Sequence, residues 1–62
     1  MTATIDFHHG TFYVSVFRDG RRIEYRHGGY RAVIAFAVGM GVPRRDVNLT
    51  LAAQNAAMGA VR

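Results

Sequence analysis

The side chains able to do chemistry in this chain are few. They are the histidines His8, His9 and His27 with Asp6 nearby, the rings of Tyr13 and Phe17, the guanidinium groups of Arg22, Arg26, Arg44 and Arg45, and the amide of Asn48. A metal centre needs three or four convergent ligands. Asp6 and His8 stand two apart and share one face of a strand, but His9 falls in a turn and His27 near the opposite side. No metal site is expected from them. The chain has no cysteine, so it offers no thiolate for zinc or for nucleophilic attack. Ser15 has no histidine and carboxylate placed to activate it, and Asp6 and Glu24 flank a central strand without a pocket. These residues predict no catalytic group, no cofactor and no enzyme.

What remains is the chemistry of binding. All eight positive side chains are arginine, against four carboxylates, for a formal net charge of +4. The planar guanidinium fork suits phosphate and carboxylate, so the balance is compatible with a polyanionic partner. A GC-rich coding sequence explains an arginine-, alanine- and glycine-rich composition equally well. Aromatic rings interleaved with arginines are more specific: they can stack bases and hold phosphates. They also serve as anchors in protein interfaces.

Two tight-turn signals position these side chains. Asp19-Gly20 and His9-Gly10 each read as a two-residue hairpin turn. They separate three segments rich in β-branched and aromatic residues, which predict strands over 2–8, 11–18 and 21–27. Counting from Asp19-Gly20 sets Phe17 opposite Arg22, Val16 opposite Ile23, Val14 opposite Tyr25 and Tyr13 opposite Arg26. Counting from His9-Gly10 sets Phe7 opposite Phe12 and Ile5 opposite Val14. Side chains alternate between faces. One face then collects Ala3, Ile5, Phe7, Phe12, Val14, Val16, Ile23 and Tyr25 as a core, and the other collects Tyr13, Phe17, Arg22, Glu24 and Arg26.

After Gly28-Gly29 the pattern turns helical, over 29–41. Tyr30 to Met40 contains a single charged residue, Arg31, which predicts a helix covered on both sides. Small residues at Ala32, Ala35, Ala37 and Gly39 would admit a second helix or a second subunit, so a homodimer through Tyr30–Met40 is one expectation. Pro43 ends this helix. A second helix is expected over 46–60, with Val47, Leu51, Met58 and Val61 as its apolar stripe. The competing reading makes Val47 to Leu51 a fourth strand and shortens the helix to Ala52–Ala60. The fold class is α+β: a three-stranded antiparallel meander packed on one face by two helices, in the order βββαα.

With 62 residues the chain is read as a single domain, 1–62, burying about 60% of its unfolded surface. Half the residues are apolar, which argues against disorder. No basic segment followed by an apolar run opens the chain, and no apolar stretch approaches the roughly 20 residues of a membrane span. A cytoplasmic location without membrane contact is expected.

Residues 37–47, Ala37-Val38-Gly39-Met40-Gly41-Val42-Pro43-Arg44-Arg45-Asp46-Val47, resemble the turn of a helix-turn-helix. That resemblance implies a recognition helix exposing Arg44, Arg45 and Asn48 to phosphates and base edges. A three-stranded sheet backed by a helix also resembles the sheet-reading DNA-binding domains of some integrases and plant transcription factors. In size and character, a tiny cysteine-free basic domain resembles small phage and mobile-element proteins, including anti-CRISPR proteins. That likeness implies binding to a host protein or nucleoprotein complex. Three classes of function follow: a nucleic-acid-binding protein acting through the sheet face or the arginine-rich turn, an inhibitor of a host protein or nucleoprotein, and a self-associating module.

Overall fold

His9 and Gly10 have φ of 50° and 78°, and Asp19 and Gly20 have φ of 53° and 77°. Positive φ at both central positions is the requirement of a two-residue primed turn, whose twist matches that of the strands it joins. In the computed structural model, which describes residues 1–60, these turns connect β1 (Thr2–His8), β2 (Thr11–Arg18) and β3 (Arg21–Gly28). The β1/β2 register is the one expected from the His9-Gly10 turn, with Phe7 opposite Phe12, Ile5 opposite Val14 and Ala3 opposite Val16.

The β2/β3 register follows its turn only as far as Arg18 opposite Arg21 and Phe17 opposite Arg22. Ile23 is then an extra residue, and Val16 pairs with Glu24, Ser15 with Tyr25, Val14 with Arg26 and Tyr13 with His27. A bulge of one residue exchanges the faces of everything beyond it. Tyr25 therefore leaves the expected core for the opposite face, while Glu24 and Arg26 move to the side of the helices. Ile23 and Tyr25 are both exposed. The buried core is Ala3, Ile5, Phe12, Val14, Val16, Val33, Ala37, Val42, Ala53 and Ala57, with Phe7 partly buried against it.

The first helix, α1, runs Tyr30–Gly39 and packs over β2 and β3. Its end is a Schellman motif in which Val42 N donates to Ala37 O and Gly41 N donates to Val38 O, at 3.1 and 2.9 Å. Gly41 takes the left-handed position, φ 102°, and Val42 is buried with Ala37. Contrary to expectation, α1 is covered on one side only: Val33 and Ala37 are buried, while Ala32, Ala35, Val38 and Gly39 face outward.

The helix expected over 46–60 is divided. Arg44–Asp46 form a single 3₁₀ turn, Val47–Leu49 form strand β4, and α2 occupies Leu51–Ala60. The alternation of Val47, Asn48 and Leu49 prevails because Val47 and Leu49 cover the core beside Ala3 and Ile5, their partners in a parallel pairing with β1. The sheet is mixed, in the order β3-β2-β1-β4, and α2 packs over β1 and β4. Of the expected stripe on the second helix, Leu51 and Met58 are exposed, and Val61 lies outside the described residues. Both helices thus lie on one face of a four-stranded α+β sheet. Among the described residues no helix is long and apolar enough to cross a membrane.

Candidate functional site

Among the described residues, the other face of the sheet carries no helix. From β1 it presents Thr4, Asp6 and His8; from β2, Thr11, Tyr13, Ser15 and Phe17; from β3, Arg22, Tyr25 and His27; and from β4, Asn48. Part of it is a shallow concavity of about 560 Å³, lined by residues that include Thr4, Asp6, His8, Tyr13, Phe17, Arg22 and Tyr25.

Aromatic groups form a row across three strands. The His8 and Tyr13 rings are 6.0 Å apart, Tyr13 and His27 are 5.8 Å apart, and Tyr13 stacks on Tyr25 at 6.1 Å with 22° between planes. The Arg22 guanidinium carbon lies 4.9 Å from the centroid of the Tyr25 ring. At an exposed site such a cation–π contact contributes about 0.5–1 kcal/mol, enough to bias the Arg22 side chain toward the ring while its charge stays in water. Phe17 completes the apolar lining beside them.

Asp6 is the one carboxylate among the strand residues of this face within the described residues, because the bulge turns Glu24 away. Three donors hold it: Phe7 N at 2.8 Å, Thr50 Oγ1 at 2.9 Å and the His8 ring at 2.8 Å. The backbone bond from Phe7, then the Thr50 hydroxyl, and more weakly His8 keep its pKa below the ordinary aspartate value, against an opposing effect of desolvation. Asp6 and His8 supply two of the ligands considered for a metal, and no group of three or more His, Cys, Asp or Glu suited to a metal forms among the described residues.

Of the residues singled out by sequence, Tyr13, Phe17, Arg22 and Asn48 come together on the open face. Asn48 gets there as the strand neighbour of Thr4, at the margin of the sheet, rather than as part of a recognition helix. Arg26 does not join them. It lies on the helix side, its guanidinium carbon 4.8 Å from the Phe36 centroid. Arg44 and Arg45 are exposed on the 3₁₀ turn, and Arg44 borders a separate cleft of about 230 Å³ with Tyr30, Ile34, Val47 and Leu49. Since a strand rather than a helix follows that turn, Arg44, Arg45 and Asn48 present no common helical surface.

Sequence reasoning missed Tyr25 and His27 on the open face, and both depend on the bulge. With Ile23 outside the alternation, Arg22, Tyr25 and His27 line one side and Glu24 and Arg26 the other, an arrangement that turn chemistry alone does not select. No family model, no curated protein and no solved structure matches this chain.

Proposed function

We propose that this protein binds single-stranded nucleic acid on the open face of its sheet. The observation that carries the reading is the Tyr13–Tyr25 stack with Arg22 over Tyr25 and Phe17 alongside, on a face without helix cover. Tyr25 is exposed, with Tyr13 and Phe17 half-buried beside it; an unpaired base can stack against the ring surface this cluster leaves open, and the adjacent Arg22 guanidinium can reach a phosphate. Duplex bases are already stacked on one another and could not use such a platform. A net charge of +4 adds a general attraction for polyanions, and the loss of Glu24 from this face removes one local repulsion. The acid that remains, Asp6, is engaged by three donors.

The direct test is fluorescence anisotropy with labelled single-stranded and duplex DNA and RNA at low and moderate salt. The expected result is a preference for single strands that weakens with salt and is lost in Tyr25→Ala/Arg22→Glu. Absence of binding at low salt overturns the reading.

A protein or nucleoprotein target is the second reading. It is favoured by the opposite surface, where Leu51 and Met58 are 73% and 63% exposed on a helix without a charged residue. Binding that depends on Leu51 and Met58 and is insensitive to salt would favour it.

A further inference from the structure

The outer edge of β3 is the longest unpaired backbone in the sheet: β3 is terminal in the strand order, has eight residues, and is exposed from Arg21 through His27. The opposite edge, β4, has three. An exposed edge is a template for another strand, and charged side chains or a bulge ordinarily restrict what can pair there. Here the charges select a partner. We propose that β3 pairs antiparallel with β3 of a second copy, about a two-fold axis at Tyr25.

Identical antiparallel strands related by a two-fold axis normal to the sheet must place a residue opposite its own copy, since paired residues share a face. Beyond the bulge the choices of central residue are few. Centring on Glu24 puts carboxylate against carboxylate, and centring on Arg26 puts guanidinium against guanidinium. Centring on Tyr25 puts Glu24 of each copy opposite Arg26 of the other, twice, and sets Ile23 against His27. Directly opposed side chains have Cβ atoms about 4.5–5.5 Å apart, close enough for an Arg–carboxylate pair, whereas like charges in those positions repel. Within the described residues Glu24 has no ion-pair partner in its own chain. The bulge at Ile23 also fits: it places Glu24 and Arg26 on the helix side and Tyr25 on the open side.

The resulting sheet has eight strands, with the helices of both copies on one face. The two Tyr25 rings meet at the axis of the other face, each already stacked on its own Tyr13. Under the nucleic-acid reading this doubles the platform, but the pairing does not depend on that reading. It is also distinct from an interface through Tyr30–Met40.

Sedimentation equilibrium between about 5 and 500 μM tests it, with circular dichroism confirming that each variant folds. Wild type is expected to dimerise, and Glu24→Arg or Arg26→Glu alone to shift dissociation to at least tenfold higher concentration. The exchanged double variant Glu24→Arg/Arg26→Glu restores opposite charges and is expected to recover the dimer. Because the chain has no cysteine, Tyr25→Cys supplies a second readout: the paired Cα atoms would lie within disulfide range, so oxidation should give a covalent dimer. Ile23→Cys, several residues from its own copy, should not. A monomeric wild type at 500 μM overturns the proposal. So does a dimer indifferent to both charge reversals, or equal cross-linking from positions 23 and 25.

Discussion

Thr50 Oγ1 donates a 2.9 Å hydrogen bond to Asp6 Oδ1 across 44 positions of sequence. The same hydroxyl accepts from Ala53 N at 3.2 Å, as an N-cap does, and Thr50 N donates to Ile5 O at 2.9 Å. One residue therefore ends β4, caps α2 and fastens both to β1. Replacing it with Ala removes the cap and frees Asp6 of a donor. Thr50→Ala is expected to lose about 1 kcal/mol in urea unfolding, with some local fraying of α2 in hydrogen exchange. An unchanged midpoint would show that the cap contributes nothing to stability.

Asp6 gives the stability a pH dependence of definite sign. Its folded pKa is lowered, first by the Phe7 amide and then by Thr50, from an ordinary value of 3.8. A depressed carboxylate contributes stability that is fully present above its unfolded pKa and is lost as pH falls through the folded one. The thermal midpoint should accordingly decline as pH drops below about 4, and Asp6→Asn should flatten that decline while lowering stability at pH 7. Parallel pH profiles for wild type and Asp6→Asn would assign the acid sensitivity to other groups.

Glycines at the end of α1 separate backbone strain from packing. Neither Gly39 nor Gly41 has a neighbour within 4 Å of where a Cβ would stand, but Gly41 has φ of 102°. A side chain there meets a conformation that L residues rarely adopt, so Gly41→Ala is expected to destabilise by roughly 1–3 kcal/mol. Gly39 belongs to the helix proper, where Gly39→Ala should stabilise by about 0.5–1 kcal/mol. Denaturant midpoints moving in opposite directions would verify both; a matched shift would contradict the assignment of Gly41 to the left-handed cap.

Much of this arrangement is legible in the sequence because it is local. Primed-turn chemistry at His9-Gly10 and Asp19-Gly20 defines both hairpins, and alternation finds Ala3, Ile5, Val14 and Val16 in the core. The register of β3 beyond Arg22 is not legible, since turn chemistry governs only the pairs next to the turn and nothing in Ile23 itself announces a bulge. The strand conformation of Val47–Leu49 is a tertiary choice: ten residues of helix-compatible sequence, 51–60, adjoin a short segment that alternates equally well, and pairing with β1 decides between them. On the open face, turn counting puts Tyr13 and Phe17 of β2 where the structure has them and misplaces β3, where one extra residue exchanges Arg26 for Tyr25.

That exchange yields the sharpest test of the binding face, because Arg22 and Arg26 carry the same charge on opposite sides of one strand. Short oligonucleotides, able to occupy a single platform, should lose affinity for Tyr25→Ala by about 5- to 150-fold, corresponding to the ~1–3 kcal/mol of a base–aromatic stack. Arg22→Glu should weaken binding similarly and reduce the slope of log affinity against log salt, by about 0.7 for one phosphate contact on a single strand. Arg26→Glu makes the same change in net charge but acts over Phe36 on the helix side, and Arg44→Glu/Arg45→Glu changes the 3₁₀ turn. Both should leave binding of short oligonucleotides within about threefold of wild type, the residue of a long-range field that salt screens. Equal losses from Arg22→Glu and Arg26→Glu would mean that net charge, not the tyrosine platform, governs binding, and a dominant loss from Arg44→Glu/Arg45→Glu would move the site to the turn.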